Sequence, residues 1–157
     1  MEFKEIYDNY SGTVYSYLKF KIKDSYLVED ILQDTFLCIY KELYKLRDVE
    51  NIKSYVLKIA HRRMVDKLRK LNNFEVNIDD INENQVIEET PFDNLLVKDM
   101  LKILDSTSRT IIYGIYIEKL SYKELSEMLE LPEGTIKSKC FYAKRKLRDI
   151  LREEYVC

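Results

Sequence analysis

Residues 119–148, KLSYKELSEMLELPEGTIKSKCFYAKRKLR, predict two short helices joined by a tight turn. The first helix has an apolar stripe at helical spacing, made by Leu120, Leu125, Met128 and Leu129. Pro132 and Gly134 then interrupt the helical pattern and predict a turn. A second amphipathic helix is expected from Thr135 onward, and the pair is typical of a helix-turn-helix.

The second helix of this pair carries its cations and aromatic rings away from its core face. The stripe predicted to be buried comprises Ile136, Cys140, Ala143, Leu147 and Ile150. The other faces carry Lys137, Ser138, Lys139, Phe141, Tyr142, Lys144, Arg145 and Arg148. A helix with one packed face and one face of donors and cations suits the major groove of duplex DNA. The alternative is an ordinary amphipathic hairpin with a solvated basic face.

Position along this helix predicts the role of each side chain. Thr135 is expected to cap the helix, which leaves the N–H groups of its first turn able to bind a phosphate. Early turns usually reach base edges, and here they present Lys137, Ser138, Phe141 and Tyr142. Contacts to phosphate, which fix register without reading sequence, are expected from Lys139, Lys144, Arg145 and Arg148.

Composition narrows the class of protein. The chain has 157 residues, 46% of them hydrophobic, and only three Gly and two Pro, which favours long helices around one medium core or two small ones. No run approaches the roughly 18 apolar residues of a membrane span. The N-terminal segment MEFKEIYDNY has no apolar stretch typical of a signal peptide, so a cytoplasmic location is expected.

Cysteine and histidine usage argues against a metal site and against catalysis. Cys38, Cys140 and Cys157 are widely spaced and form no C-x-x-C pair, so neither a disulfide framework nor a zinc site is expected. The single histidine, His61, has no partner at ligand spacing, and a polar surface position is predicted for it. Without a nucleophile and base in one pattern, we expect no enzyme, no cofactor and no small-molecule substrate.

The formal net charge of −2 conceals two cationic blocks. Residues 51–70 contain seven Lys or Arg against Asp66, and residues 135–157 contain seven against three acidic residues. Residues 71–100 invert this balance, with eight acidic residues against Lys98. Two separate contacts with a polyanion are therefore predicted, the alternative being a basic patch beside an acidic partner.

Periodicity predicts an all-α fold of two small helical domains. Three helices are expected at about 2–23, 26–46 and 52–71, which makes residues 1–71 the first domain. Residues 72–91 lack Lys and Arg, are rich in Asn and carboxylates, and are predicted to be a flexible acidic linker. Residues 92–157 would form the second domain, with helices at about 93–104 and 107–117 before the helix-turn-helix.

The core faces of the first domain follow from the same spacing. In the first helix the apolar positions are Phe3, Ile6, Tyr7, Tyr10, Val14, Tyr17 and Leu18. The second helix is predicted to bury Val28, Leu32, Thr35 and Ile39, flanked by Ile31, Phe36 and Cys38. The core face of the third helix is predicted to be Val56, Leu57, Ala60, Met64, Leu68 and Leu71.

The outer faces of the second and third helices carry two further candidate surfaces. Opposite the second helix's core stripe lie Asp30, Gln33, Asp34, Leu37 and Lys41, a set that suits a partner helix or is simply solvated. One sector of the third helix carries Tyr55, Lys58, Arg62 and Arg69. An aromatic ring beside cations suits single-stranded nucleic acid. A solvated basic helix, with Tyr55 packed inward, is the alternative.

In this order the pieces resemble the extracytoplasmic-function (ECF) sigma factors of bacteria. VEDILQDTF at 28–36 resembles the family's A-E-D-x-x-Q-E-x-F helix, which binds core RNA polymerase. KSYVLKIAHRRMVDKLRK at 53–70 resembles its promoter-melting helix, S-W-L-x-x-I-A-R-N-x-x-x-D-x-x-R. LSYKELSEMLELPEGTIKSK at 120–139 resembles its −35-binding hairpin. The resemblance covers nearly the whole chain except the linker.

The resemblance implies a role for each surface. Asp30, Gln33, Asp34 and Leu37 would contact the clamp helices of the polymerase largest subunit. The opened −10 strand would lie along Lys53, Tyr55, Lys58, Arg62 and Arg69. The −35 duplex would be bound by Thr135, Lys137, Ser138, Lys139, Phe141, Tyr142, Lys144 and Arg145. It also implies an anti-sigma factor, often membrane-bound, that would hold the protein at the membrane.

Several positions depart from the family pattern. Tyr55 replaces a Trp, Arg62 replaces an Asn beside a flipped base, and Tyr142 and Lys139 stand where arginines are usual. These departures leave the promoter sequence open. Two other functions also stay open on the residues: a stand-alone helix-turn-helix regulator that never engages polymerase, and a helical protein-interaction module. In a stand-alone regulator, changing Gln33 and Leu37 would leave activity intact.

Overall fold

The computed structural model describes residues 2–72 and 101–155, apart from the side chains of 153–155. The chain divides into two compact units, Met1–Glu89 and Thr90–Cys157. In the described ranges the regular structure is helical, with no strand, so the predicted all-α fold is confirmed. The predicted flexible linker at 72–91 lies almost entirely outside the described residues.

The first unit is a bundle of three α-helices that pack on one another pairwise. Helix α1 spans Phe3–Lys21, α2 spans Ser25–Lys41 and α3 spans Ile52–Asn72. Asp24 caps α2, because its carboxylate accepts hydrogen bonds from the N–H groups of Tyr26 and Leu27 at 2.9 and 3.4 Å. A 3₁₀ helix, Leu43–Asp48, follows α2, so the α-helix ends earlier than predicted.

Most of the predicted core of this unit is confirmed. Val28, Thr35 and Ile39 of α2 are buried, as are Val56, Leu57, Ala60, Met64 and Leu68 of α3. Leu32 and Cys38 are half-buried. The prediction for Leu71 was wrong: its side chain is 60% exposed, because the last turn of α3 extends beyond the core and is exposed from Arg69 onward.

The prediction that His61 lies at the surface was also wrong. His61 is 5% exposed and its Nδ1 lies 2.8 Å from the Tyr17 hydroxyl of α1, in hydrogen-bonding distance. Burial, with the nearby charge of Lys21, lowers the pKa of His61 to about 3. A polar side chain of α3 can be buried when a group on another helix forms a hydrogen bond with it. The spacing of residues along α3 does not reveal that group.

The second unit contains helices α4, α5 and α6, which span Ser106–Tyr116, Tyr122–Leu129 and Glu133–Tyr155 and again pack pairwise. The helix predicted at 107–117 is therefore confirmed within one residue. Of the helix predicted at 93–104, only the end lies within the described residues, where 101–102 are helical. Leu125 packs so closely on Gly114 that a Cβ there would lie 2.6 Å from its Cδ2.

Side chains fix the ends of α4 and α5. The Asp105 carboxylate accepts a hydrogen bond from the Ser108 N–H at 2.7 Å and caps α4. Ser121 and Glu124 form a capping box at the start of α5. These caps set the positions at which the chain turns from one helix to the next.

The turn between α5 and α6 differs from its prediction. Glu130, rather than a glycine, takes the left-handed conformation (φ 57°), and the Ser126 hydroxyl closes the turn by donating to the Leu131 carbonyl. Helix α6 begins at Glu133, so Gly134 and Thr135 lie in its first turn. The prediction that Thr135 caps this helix was therefore wrong.

Candidate nucleic-acid and partner interfaces

The exposed face of α6 carries the residues predicted to read duplex DNA. Ile136, Cys140 and Ala143 are 0–3% exposed and fix one face of the helix against the core. Phe141 and Tyr142 are 61% and 63% exposed and pack edge to face, with ring centroids 5.4 Å apart. Lys137, Ser138 and Arg145 are exposed on the same side, whereas Thr135 and Lys144 are half-buried.

Two lysines of α6 lie next to tyrosines of the preceding helices. The Lys137 Nζ is 5.9 Å from the centroid of the Tyr122 ring, and the Lys144 Nζ is 5.4 Å from that of Tyr116. The proximity of Tyr116 is the main cause that raises the pKa of Lys144. The groove here, about 440 Å³, is lined by Tyr122, Lys137, Ser138, Cys140, Phe141, Tyr142 and Lys144.

Lys139 does not share this face. It is half-buried, and its charge acts on the Asp105 carboxylate that caps α4. Burial raises the pKa of Asp105, but hydrogen bonds from Ser108 and the charges of Lys139 and Arg109 outweigh this, so the net pKa is lowered. The structure thus separates Lys139 from the other predicted DNA contacts.

The C-terminal half of α6 extends the cationic face beyond the predicted residues. A second groove is lined by Phe141, Lys144, Arg145, Arg148, Asp149 and Arg152. Arg145, Arg148 and Arg152 are exposed and follow one another at spacings of three and four, so they share one side of the helix. Arg152 was missed by the sequence analysis, although this spacing was available as a signal.

The outer face of α2 is exposed as predicted from the period of the helix. Leu37 is 54% exposed, and Gln33 and Asp34 are also exposed. Asp30 is half-buried and forms a 2.5 Å ion pair with Lys67 of α3. This hydrogen bond is the main cause that raises the pKa of Lys67. Asp30 is therefore already paired within its own domain.

A groove beside Leu37 brings in a residue that the sequence analysis missed. Its lining is Asp34, Leu37, Cys38, Lys41, Glu42 and Arg63. Arg63 of α3 forms a 3.8 Å ion pair with Asp66, while its buried Nε has no hydrogen-bond partner in the described structure. The face of α2 therefore continues onto α3, which no single-helix pattern could predict.

The cations of α3 lie on a strip between buried flanks. Ile59 and Val65 are buried in addition to the predicted core face, so Lys58, Arg62 and Arg69 occupy the remaining sector. Tyr55 lies at one end of the strip and is half-buried; its hydroxyl donates to Glu42 Oε2 at 3.4 Å.

The pKa of Tyr55 is raised, first by burial and then by the charge of Glu42. Lys53 lies in the first turn of α3 and is not on this strip, because at about 100° per residue it is on nearly the opposite side of the helix. The structure therefore groups four of the predicted −10 residues and separates Lys53 from them.

Two negative observations apply to the part of the chain that the structure describes. No group of three or more His, Cys, Asp or Glu side chains could hold a metal ion there. Within the same ranges, no helix is both long enough and apolar enough to cross a membrane.

Comparison with known proteins identifies the family. Residues 6–74 match Sigma-70 region 2, and residues 100–149 match Sigma-70, region 4. The ECF RNA polymerase sigma factor SigM of Bacillus subtilis is 30% identical over 157 residues, which cover 94% of each chain. The chain belongs to the ECF sigma factors. The RNA polymerase sigma factor SigZ of the same organism is 26% identical, over 96% of this chain and 88% of SigZ.

Solved structures show the same fold. The sigma factor RpoE from Bartonella quintana, in complex with the anti-sigma factor NepR, aligns with a TM-score of 0.72 at 20% identity, over 96% of both chains. CnrH, in complex with the cytosolic domain of CnrY, aligns with a TM-score of 0.62 at 20% identity, over 96% of this chain and 88% of CnrH.

This ECF sigma factor directs promoter-specific initiation by RNA polymerase, so the alternatives of a stand-alone regulator and a protein-interaction module are set aside. Its partners include core RNA polymerase and promoter DNA. Sigma factors are regulatory, non-catalytic proteins, which agrees with the absence of a catalytic pattern in the sequence.

Proposed function

We propose that this sigma factor uses three separate helical faces. Residues 1–71 would bind core polymerase through α2 and the opened −10 strand through α3. Residues 92–157 would bind the −35 duplex through α6, with residues 72–91 joining the two. The observation that carries this proposal is that α6 presents Lys137, Ser138, Phe141 and Tyr142 to solvent while Ile136, Cys140 and Ala143 are buried on its other side.

The outer face of α2 is the proposed polymerase surface. Leu37 offers an exposed apolar side chain between the polar groups of Gln33 and Asp34, a composition suited to the centre of a protein interface. Asp30 completes the set, and its ion pair with Lys67 orients the carboxylate. Binding energy is expected to concentrate on Leu37 and Gln33, since few residues of an interface carry most of it.

The strip on α3 is the proposed −10 surface. Lys58, Arg62 and Arg69 lie along one line and suit successive phosphates of a single strand. At one end of the strip, the Tyr55 hydroxyl donates a hydrogen bond to Glu42, and the Tyr55 ring would stack on a base. Lys53 would meet the strand from the first turn of the helix, apart from the strip.

The N-terminal half of α6 is the proposed −35 surface. Lys137, Ser138, Phe141 and Tyr142 would reach base edges, and Lys144 and Arg145 would bind phosphates. Thr135, within the first turn, would lie near a phosphate with the free N–H groups at the helix start. Lys139 would contribute through its charge from the edge of the face.

An anti-sigma factor is the proposed regulator. Such a partner would cover the faces of α2 and α6 and hold this protein inactive in the cytoplasm, or at the membrane when the partner is anchored there. The proposal is supported by family membership and by the complexes of RpoE with NepR and of CnrH with the cytosolic domain of CnrY.

Run-off transcription tests the central proposal. The full chain is combined with sigma-free core polymerase on a library of random-sequence promoters, and initiated transcripts are sequenced. We expect selected templates to share two elements about 20 or more base pairs apart. If the transcripts show no selected element, the proposed promoter recognition is wrong.

The polymerase surface has a matched control on the same domain. Leu37→Ala and Gln33→Ala are each expected to weaken binding to core polymerase about tenfold or more, as hot-spot truncations do. Leu71→Ala removes a leucine of similar exposure, 60% against 54%, from a different face and should leave the affinity unchanged. Equal effects of Leu37→Ala and Leu71→Ala would contradict the assignment to α2.

A further inference from the structure

We propose that Tyr122 and Tyr116 are positioning residues of the duplex-binding surface, which hold Lys137 and Lys144 of α6 where DNA phosphates pass. This inference rests on the proposed −35 function of α6. It adds two residues that lie outside α6, and it assigns each of them to one lysine.

Their places in the fold make the two tyrosines a pair. Tyr116 is the last residue of α4 and Tyr122 is the first residue of α5, so they flank the short connection between these helices. Ser121 and Glu124 fix the start of α5 by their capping box, and Leu120 anchors the connection in the core. Both rings are thereby held by well-packed backbone next to the face of α6.

Tyr122 acts on Lys137 through its ring. The Lys137 Nζ lies 5.9 Å from the ring centroid, and the Glu133 carboxylate lies 4.0 Å from the same Nζ. The Lys137 side chain is nevertheless 59% exposed, which leaves donors for a phosphate. The ring face is what attracts the ammonium here, so removal of the tyrosine hydroxyl should not matter.

Tyr116 acts on Lys144 in the same way. The Lys144 Nζ lies 5.4 Å from the centroid of the Tyr116 ring. Because the face of the ring attracts the ammonium, phenylalanine should replace tyrosine at either site without loss, whereas leucine should not.

The advantage of this arrangement is that the lysine side chains are already restricted before DNA binds. A long lysine side chain loses rotamer freedom when it binds a phosphate, and that loss weakens binding. A neighbouring ring that already restricts the side chain removes part of this cost before DNA arrives. Because each ring contacts one side of the ammonium, the opposite side can still donate to a phosphate oxygen.

The test uses holoenzyme assembled from the full chain and sigma-free core polymerase, on the promoter duplex selected by the wild-type protein. Affinity is measured at several KCl concentrations for Tyr122→Leu, Tyr122→Phe, Tyr116→Leu and Tyr116→Phe. Lys137→Ala and Lys144→Ala report the loss of each lysine, and Tyr26→Leu in the first unit, where Tyr26 is 87% exposed, is the control.

We expect each Tyr→Leu variant to bind about two- to five-fold more weakly than wild type, the effect of one exposed cation–aromatic contact. Tyr122→Phe and Tyr116→Phe should both retain wild-type affinity, because phenylalanine keeps the aromatic face. The salt dependence of Tyr122→Leu should fall toward that of Lys137→Ala, whose slope is reduced by about one. A loss of folding would not change this slope.

Double variants separate positioning from general damage. Tyr122→Leu should have no further effect in the Lys137→Ala background, since the residue it positions is absent. An equal loss in both backgrounds would overturn the inference. If Lys137→Ala and Lys144→Ala themselves leave affinity and salt slope unchanged, the −35 assignment of α6 fails, and the inference with it. If only the tyrosine variants have no effect, the inference fails alone.

Discussion

The two cationic helices, α3 and α6, are held by their domains in different ways. In α3 the buried side chains lie on most sides of the helix, from Val56 to Leu68, and leave a narrow strip for cations. In α6 burial is confined to one face near Ile136, Cys140 and Ala143. A cationic surface can therefore lie on a helix that is packed on most of its sides, as in α3, or on a helix that is packed on one side only, as in α6.

This difference predicts different consequences of substitution. Changes in α3 should affect stability and the proposed strand binding together, because its cationic strip lies between packed flanks. Changes on the outer face of α6 should affect binding with little effect on folding. The four predictions below test that contrast, beginning with the largest expected effect.

The largest effect is expected from Leu68→Ala compared with Leu71→Ala. Leu68 is 2% exposed and Leu71 is 60% exposed, although both are leucines of α3 three positions apart. Leu68→Ala should lower the free energy of unfolding by about 2–5 kcal/mol, the cost of truncating a packed leucine. Leu71→Ala should change it by less than about 0.5 kcal/mol. Denaturant titration followed by circular dichroism measures both, and similar losses would show that Leu71 is packed.

Acidification should destabilise the first unit through His61. The pKa of His61 is lowered to about 3 in the folded protein, whereas the unfolded chain binds the proton near pH 6.5. Its stabilising contribution is therefore complete above pH 6.5 and declines toward pH 3, by about 1.4 kcal/mol per unit, or about 2 kcal/mol at pH 5. Unfolding titrations at pH 7 and 5 measure this, and His61→Gln should reduce the pH dependence.

The same group can be observed directly by NMR. His61 is the only histidine of the chain, so its imidazole signal needs no further assignment. The signal should not titrate between pH 7.5 and 5.5. A normal titration near pH 6.5 would show that the ring is exposed, as the sequence had predicted.

On α6, Phe141→Ala should separate binding from stability. Phe141 is 61% exposed, so truncation should change the free energy of unfolding by less than about 0.5 kcal/mol. Loss of its contact in the groove should weaken promoter binding by holoenzyme about fivefold, equivalent to about 1 kcal/mol. Promoter binding and thermal denaturation of the same sample measure the two effects. A lowered melting temperature would place Phe141 in the core of its domain.

The smallest effect is expected from Lys119→Gly, at the connection between α4 and α5. Lys119 has φ 58°, a left-handed conformation that costs a residue with a Cβ about 1–2 kcal/mol. Glycine removes this strain but is more flexible when unfolded, so a net gain of about 0.5–1 kcal/mol is expected. Lys123→Gly, inside α5, should instead lower stability by about 1 kcal/mol. Thermal denaturation of the full chain compares them.

Local pattern predicted most of α6 because its two faces differ strongly in chemistry. Ile136, Cys140 and Ala143 of the predicted stripe are buried, whereas Leu147 and Ile150 are half-buried. The start of the helix, which lies before Thr135, was not predicted. The same reasoning was less complete for α3, where Ile59 and Val65 are buried outside the predicted stripe. A helix packed on several sides shows no clean amphipathic period, so its buried flanks and its buried histidine were not predicted.

The sequence by itself determined the family, the two helical units and the helices that carry the candidate surfaces, because apolar spacing and motif residues are local properties of the chain. Tertiary structure decided which neighbours individual side chains have: Asp30 pairs with Lys67, Lys139 acts on Asp105, and Lys137 lies beside Tyr122. These contacts depend on the angle and distance between helices. The helix-turn-helix could therefore be predicted from the sequence, whereas the placement of Tyr122 and Tyr116 beside its lysines could not.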